Sequence, residues 1–351
     1  MPSSTVLSNV VSIGGGTGLS CLLKGLKYAV PDLTSPSDAG AARWISRLTA
    51  VVTVTDDGGS SGRLRDELRV LPPGDIRNCL VALGTDESLL SRLFQYRFPG
   101  SGQLQGHSFG NLFLTALTAV TGDFLKAIKV TSDVLAIRGR IYPATVEDVR
   151  LEAILEDGAT LQGESAISKS HAGIQKVALC PRDCHAVPAV LDAIRTADII
   201  TVGPGSLFTS LIPNLLVKGI AQEIKRSKAL RIFIGNLMTQ PGETTGFTAS
   251  AHLQAVREHT GCQLFDAVIL NNKPIAAAVL GRYRRQGAAP VTSDPEALKE
   301  MGLTIYEREL VAHEKVVRHD PELLADAVRQ AYDLWSASHK PLSAKTSSEI
   351  L

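Results

Sequence analysis

The sequence predicts an α/β fold: a mainly parallel sheet covered by helices on both faces, with a small β-containing subdomain inserted after the first half. Three observations predict it. Short apolar runs alternate with stretches of helical character, as in βαβ units. At 351 residues and 44% hydrophobic content, the chain can bury one large core or two modest ones. Between residues 151 and 165 that rhythm is interrupted by the turn signal Asp157-Gly158 between alternating runs, which marks an antiparallel hairpin.

Val10–Ile13 reads as the first strand and Thr17–Ala29 as the helix after it. Residues 31–47, rich in Pro, Ser, Asp and Ala, read as an exposed loop, and Leu48–Thr55 as the second strand. Asp75–Arg97 and Asn111–Ala136 look helical. After the hairpin the βα rhythm resumes, with strands at 176–180, 198–202, 230–235 and 265–271. Asp320-Pro321, an N-cap followed by proline at the first helical position, opens a last helix over 321–335. Residues 1–337 are thus expected to form a single domain with the inserted subdomain at about 138–185, and 338–351 a disordered tail.

Composition removes several function classes. With 36 Lys+Arg against 35 Asp+Glu, the net charge of +1 lacks the basic excess of a nucleic-acid binder. No apolar run approaches the length of a membrane span, and the N-terminus lacks the basic flank and long apolar stretch of a secretion signal. Cysteines 21, 79, 180, 184 and 262 are too unevenly spaced for a disulfide framework. A cytoplasmic location is expected.

In a parallel sheet every strand points its C-terminal end to one edge, where ligands bind. The residues after the predicted strands are Gly14-Gly15-Gly16-Thr17-Gly18, Thr55-Asp56-Asp57-Gly58-Gly59-Ser60, Gly203-Pro204-Gly205-Ser206, Asn236 through Glu243, and Asn271-Asn272-Lys273. Small and polar types dominate all five. Glycines admit a ligand close to the backbone, and helix N-termini offer N–H groups and positive dipole to phosphate. Together they read as a site for a phosphorylated or nucleotide ligand.

Each piece also has a plainer reading. The triglycine loop serves equally as a tight turn, and it lacks both the G-x-G-x-x-G spacing and the Lys-Ser/Thr of a P-loop. Asp56 and Asp57 fit capping or turn formation as well as metal or hydroxyl binding; Asp56 is the candidate metal ligand. Asp75 sits where a helix N-cap is expected, while Arg77 and Asn78 could reach a phosphate or its partner carboxylate. His107 and Asn111 flank Ser108, itself a natural cap, and are candidates either for the site or for the loop. Cys180 and Cys184 form a lone C-x3-C without a second pair, a poor basis for zinc. Arg282, Arg284 and Arg285 read as a solvated cluster; Arg318 could fold back over a phosphate. No nucleophile–base pair accompanies these loops in the sequence.

Six long segments then carry a family resemblance: VVSIGGGTGLSCLLKGLK, LTAVVTVTDDGGSSGRLRDEL, PPGDIRNCLVAL, GHSFGNLFLTAL, ADIITVGPGSLFTSLIPNLLVKGI and GNLMTQPGETTGF. In this order, across residues 8–335, they resemble the bacterial gluconeogenesis factors, a family similar to the 2-phospho-L-lactate transferases of deazaflavin-cofactor synthesis. The resemblance implies a Rossmann-like three-layer α/β/α fold and binding of a nucleotide diphosphate, specifically a UDP-sugar such as UDP-N-acetylglucosamine. It implies a regulator of cell shape and cell-wall precursor supply during gluconeogenic growth, with no catalytic turnover assigned.

By position, the family's motifs match Gly14–Gly18, Asp56–Gly62, Gly203–Ser206 and Asn236–Thr244, so that Met238, Thr239, Gln240 and Glu243 join the candidates; its late Arg-His pair matches Arg318-His319. The base would be gripped around Asn236 and Met238. The 31–47 loop is longer than the family's usual connection, and the tail beyond Ala337 matches nothing recognised. On this reading no cofactor is required, the partner is a UDP-sugar or other nucleotide diphosphate, and the chain is expected to form a homo-oligomer. The alternative is a transferase moving a phospholactyl group to a deazaflavin alcohol, with Mg²⁺ at Asp56 or Asp57.

Overall fold

The computed structural model describes residues 7–31, 43–84, 89–312 and 316–339. The chain opens with β1 (Ser8–Gly14), α1 (Gly16–Leu26, extended by a 3-10 turn over Lys27–Ala29) and β2 (Ile45–Val52). Next come α2 (Gly59–Leu68), α3 (Gly74–Leu83), α4 (Leu89–Gln95), α5 (Phe109–Thr121), α6 (Phe124–Val134) and β3 (Arg140–Pro143). A smaller unit follows: β4 (Arg150–Leu155), β5 (Thr160–Gln162), α7 (Glu164–Lys169) and β6 (Ile174–Cys180). Then come α8 (Pro188–Arg195), β7 (Ile199–Val202), a π-helical turn over Leu207–Leu211, α9 (Ile212–Leu216), α10 (Ile220–Arg226) and β8 (Leu230–Ile234). The chain closes with α11 (Ala249–Thr260), β9 (Ala267–Asn271), α12 (Ala277–Arg285), α13 (Pro295–Glu300), β10 (Thr304–Arg308) and α14 (Pro321–His339).

The main sheet has the order β10-β9-β8-β7-β1-β2-β3, with every neighbouring pair parallel. Its strands alternate between two cores. Leu230, Ile232 and Ile234 of β8 face the layer containing Leu19, Leu23 and Leu324. Phe233 between them faces the other layer, with Val190, Leu215 and Val256. This is the three-layer α/β/α arrangement. The second and smaller sheet, β5-β4-β6, is antiparallel.

The chain builds outward from β1 through β2 to β3, then returns to β7 on the other side of β1. The strand order therefore reverses between β1 and β7, and the loops after these two strands diverge to leave a crevice. That crevice holds the candidate site.

The hairpin forms as expected: Gly158 takes φ +84° and the Ala159 amide donates to Asp157 Oδ1. Asp320 caps the last helix, accepting from the Glu322 and Leu323 amides. That helix runs to His339, so Ser338 and His339, expected in the tail, are helical; residues 340–351 lie outside the described residues. The second strand begins at Ile45, three residues into the expected loop, of which 32–42 lie outside the described residues.

Other expectations need correction. The run expected as one helix over 75–97 is α3 and α4, with 85–88 outside the described residues. The run over 111–136 breaks at Gly122, left-handed at φ +66°, and Asp123, which caps α6 through the Leu125 and Lys126 amides. The strand at 176–180 does not resume the parallel sheet. It is part of β6, antiparallel to β4, and it buries residues on one face rather than both. Helix α2 escaped the sequence reading because its GSSGRLRDEL carries two glycines and few apolar residues. Strand β3, within the 138–185 interval, pairs with β2 in the main sheet. Among the described residues no helix is long and apolar enough to cross a membrane.

Candidate functional site

Helix α1 begins at the crevice without a capping side chain at its N-cap, because Gly15 there has none. Gly18 turns this helix start toward the loop after β7. A β-carbon on Gly18 would lie 2.2 Å from the Pro204 carbonyl oxygen, so only glycine allows the contact. The first amide bonded within the turn is that of Leu19, to the Gly15 carbonyl. The Gly16 amide is taken by the Asp75 carboxylate. The amides of Thr17 and Gly18 make no hydrogen bond among the described residues, which suits an anion.

The loop after β7 is held rigidly. Its Gly203–Pro204 peptide is cis. Asn236, from the end of β8, grips the Gly205 peptide at both ends: its Oδ1 accepts from the Gly205 amide at 3.1 Å and its Nδ2 donates to the Gly205 carbonyl at 2.8 Å. Ser206 Oγ donates to the carboxylate of Glu243 and accepts from Thr209 Oγ1 at 2.7 Å. Glu243 is 5% exposed, and burial pushes its pKa up while hydrogen bonds from Ser206, Phe208 and Ser168 oppose the rise. With its only proton engaged, Ser206 offers the crevice a lone pair. This hydroxyl–carboxylate contact spans 37 residues, which is why the sequence did not reveal it.

Between these loops opens a cavity of about 490 Å³. Its floor is Thr17, Gly18, Pro204, Gly205 and Ser206; Asn236, Met238 and Gln240 form one wall, and Asn78, Val81 and Gln95 another. Arg318, His319 and Tyr283 cover it. The charged residues lining it are Lys24 and Arg318, both cations, with no carboxylate among the lining residues. Cations and free helix amides facing one hollow give it a chemistry that suits a multiply charged anion. His319 is 9% exposed, and burial pushes its pKa down to about 4, so it is neutral here.

A second cluster lies beside the start of α1, against the Gly15-Gly16 turn, and it gathers residues that the sequence grouped with the first. Asp56 Oδ1 accepts from the Gly58 amide at 2.8 Å. Asp57 faces the smaller sheet, where its Oδ1 accepts from the Ser165 amide at 2.7 Å. Glu164, in the same short helix, is hydrogen-bonded to Asp56. Burial and then the charges of Asp56 and Asp75 push the Glu164 pKa up to about 9. Asp75 rises to about 7, mainly through its dense surroundings and then through Asp56. Arg77 donates from Nη2 to Asn78 Oδ1 at 2.6 Å. Ser60 Oγ is 2.9 Å from His107 Nδ1 and accepts from Asn111 Nδ2 at 3.1 Å, a buried trio tying α2 to α5. Burial pushes the His107 pKa down.

Of the predicted residues, the structure brings Thr17, Gly18, Asn78, Pro204, Gly205, Ser206, Asn236, Met238, Gln240 and Arg318 to the cavity lining. Gly14, Gly15 and Gly16 form the turn beneath it, where a β-carbon on Gly15 would lie 2.6 Å from Asp75 Oδ2. Gly203 precedes the cis proline with φ +94°. Thr239 is spent on Ala289, through the main chain and its hydroxyl, and Glu243 lies under Ser206. Asp56, Asp57, Gly58, Gly59, Ser60, Arg77, His107 and Asn111 do not line the cavity. Lys24 and Tyr283 were missed: Lys24 reads as an ordinary solvated helical lysine, and Tyr283 sits in the run taken as a basic surface cluster.

A family model described as 2-phospho-L-lactate transferase CofD matches residues 10–311. The chain is 45% identical over 331 residues to the "Gluconeogenesis factor" of Halalkalibacterium halodurans, covering 94% of this chain and 98% of that protein. The chain belongs to the gluconeogenesis factor family. The Bacillus subtilis "Gluconeogenesis factor" is 44% identical over 317 residues, covering 90% of this chain and 95% of its own. A crystal structure of a UPF0052 family member from Bacillus halodurans shares the fold at TM-score 0.85 and 45% identity, over 92% of this chain and 99% of that one. The matched residues 10–311 include the β1 and β7 loops that bound the cavity.

Proposed function

We propose that this protein is a cytoplasmic nucleotide-sugar receptor, binding a UDP-sugar such as UDP-N-acetylglucosamine, and that it acts as a regulator of cell shape and wall-precursor supply during gluconeogenic growth. The observation that carries the ligand class is the cavity over the start of α1, whose charged lining residues are the cations Lys24 and Arg318. A diphosphate laid on the Thr17 and Gly18 amides would meet both cations. The acceptor lone pair of Ser206 suits a donor elsewhere in the ligand, such as a sugar hydroxyl or an amide N–H. A receptor of this kind works through different affinities in two conformations rather than by stabilising a transition state.

A second reading is favoured by the carboxylates Asp56, Asp75 and Glu164 beside the start of α1 and by the family model: a transferase acting on a nucleotide diphosphate donor. Such an enzyme would place Mg²⁺ at Asp56. The donor set fits this poorly, because Asp56 is spent on Gly58 and Glu164, and Asp75 on Gly16. Among the described residues no group of three or more His, Cys, Asp or Glu side chains is arranged to hold a metal ion.

Calorimetric titration with UDP-N-acetylglucosamine and with GDP, each with and without Mg²⁺, decides between the readings. Uridine-selective binding that is indifferent to Mg²⁺ supports the receptor. Preference for GDP with Mg²⁺, or product release on adding a deazaflavin alcohol, supports the transferase.

A further inference from the structure

Strands β4, β5 and β6 and helix α7 contribute no residue to the cavity lining. They are nonetheless tied to the loop that forms its floor, by two routes. The first runs through His259 of α11. β6 is an edge strand, and its Val177 amide donates to His259 Nε2 at 3.0 Å, across 82 residues of sequence. His259 Nδ1 donates to the Ala255 carbonyl at 2.7 Å, so the ring is held as the neutral tautomer whose Nε2 accepts. The same ring meets Phe208 edge to face, with centroids 5.8 Å apart. Phe208 is buried, two residues beyond Ser206, in the π-helical turn over Leu207–Leu211.

The second route runs through Glu243. Its carboxylate accepts from the Phe208 amide and from the Ser168 hydroxyl of α7, as well as from Ser206. Gly242, the residue before it, takes φ +80° against the end of α7, where a β-carbon would lie 2.0 Å from the Ser170 carbonyl oxygen. Both routes therefore meet at Phe208 and Glu243, next to the Ser206 that lines the cavity. The Ser206 carbonyl accepts the Ser210 and Leu211 amides, which makes Ser206 and Phe208 parts of one tight turn. A displacement of Ser206 is carried to Phe208, and a close-packed ring cannot shift without shifting His259 and β6.

We propose that the small sheet is the response element of this protein and that His259 positions it against the cavity floor: a ligand seated on Ser206 fixes the π-helical turn, and the fixed turn holds β6 and α7 to the body. The proposal rests on the receptor reading given above. A receptor without turnover needs a part that differs between its occupied and empty states. β1 and β7 are paired along both edges within the main sheet, whereas β6 is the edge of a three-stranded sheet and opens at lower cost.

Amide exchange on the full chain, with and without saturating UDP-N-acetylglucosamine or GDP, reads the coupling. Residues 14–24 and 203–211 report occupancy, and residues 174–180 report the response. Ligand should slow exchange over 174–180 by about fivefold or more, although none of these residues lines the cavity. His259→Gln keeps a carbonyl acceptor for the Val177 amide and should retain the slowing. His259→Leu removes the acceptor, and Phe208→Leu breaks the ring contact from the other side; each should lose the slowing while occupancy is still reported at 14–24 and 203–211. Occupancy without slowing over 174–180 in the wild type overturns the proposal. Slowing that persists in either leucine variant, or that is lost equally in His259→Gln, removes His259 as the positioning residue and overturns it too. No change at 14–24 and 203–211 with either nucleotide, and no heat of binding, would mean that the receptor reading fails, and the response element falls with it.

Discussion

Gly18, in the first turn of α1, and Pro204, in the loop after β7, lie on either side of the strand-order reversal, and they touch: a β-carbon on Gly18 would be 2.2 Å from the Pro204 carbonyl oxygen. The start of α1 and the cis-proline loop are therefore pressed into one surface, and the cavity floor depends on the missing side chain. Gly18→Ala must push the two apart, because the obstacle is main chain and cannot rotate away. The expected result is a destabilisation of about 1–3 kcal/mol, typical of overpacking. Nucleotide affinity should fall by tenfold or more, measured by thermal melting and calorimetry on one preparation.

Arg318 is the exposed cation covering the cavity. Truncation by Arg318→Ala removes a charge-assisted contact worth about 1.5–3 kcal/mol, or roughly tenfold to a hundredfold in affinity for a nucleoside diphosphate. The residual binding should also depend less steeply on salt, since fewer charges are paired. Unchanged affinity and salt dependence would remove Arg318 from the site.

Asp75 gives a pH prediction. Its folded pKa, about 7, lies above the ordinary 3.8, so the folded protein favours the protonated form. Stability from this group is present at low pH and is lost as pH rises from about 4 to about 7. Asp75→Asn keeps an acceptor for the Gly16 amide and removes the titration. The variant should gain stability over wild type on moving from pH 5 to pH 8, on the order of 1–2 kcal/mol after screening at a partly exposed carboxyl. Melting curves at the two pH values check this; a difference that does not change with pH would rule out ionisation of Asp75 in this range.

Asp57 holds the smaller sheet to the main body through the Ser165 amide, beside the ion pair of Arg65 with Asp148. Asp57→Ala should cost about 1.5–3 kcal/mol locally, the value of a hydrogen bond to a charged group. Its signature is faster amide exchange confined to residues 150–180, with the exchange of β1 and β7 unchanged. Uniformly faster exchange would mean that Asp57 supports the whole fold instead.

Local pattern by itself determined β1, the glycine turn into α1, the Asp157-Gly158 hairpin and the Asp320 cap, because each depends on residues within one or two turns of chain. The set of strand-end loops was legible for the same reason, and with it much of the cavity lining, from Thr17 and Gly18 to Asn236. Tertiary structure decided which of those loops meet. The sheet order sets β1 between β7 and β2, and of the loops after those two neighbours only the one after β7 lines the cavity, a choice that no local pattern contains. It also paired Ser206 with Glu243, gave the Gly16 amide to Asp75 and set Lys24 at the cavity, contacts whose partners are far apart in sequence or look like ordinary surface residues. Strand and turn propensities act over a few neighbours, whereas the site is made by the direction in which the chain crosses the sheet.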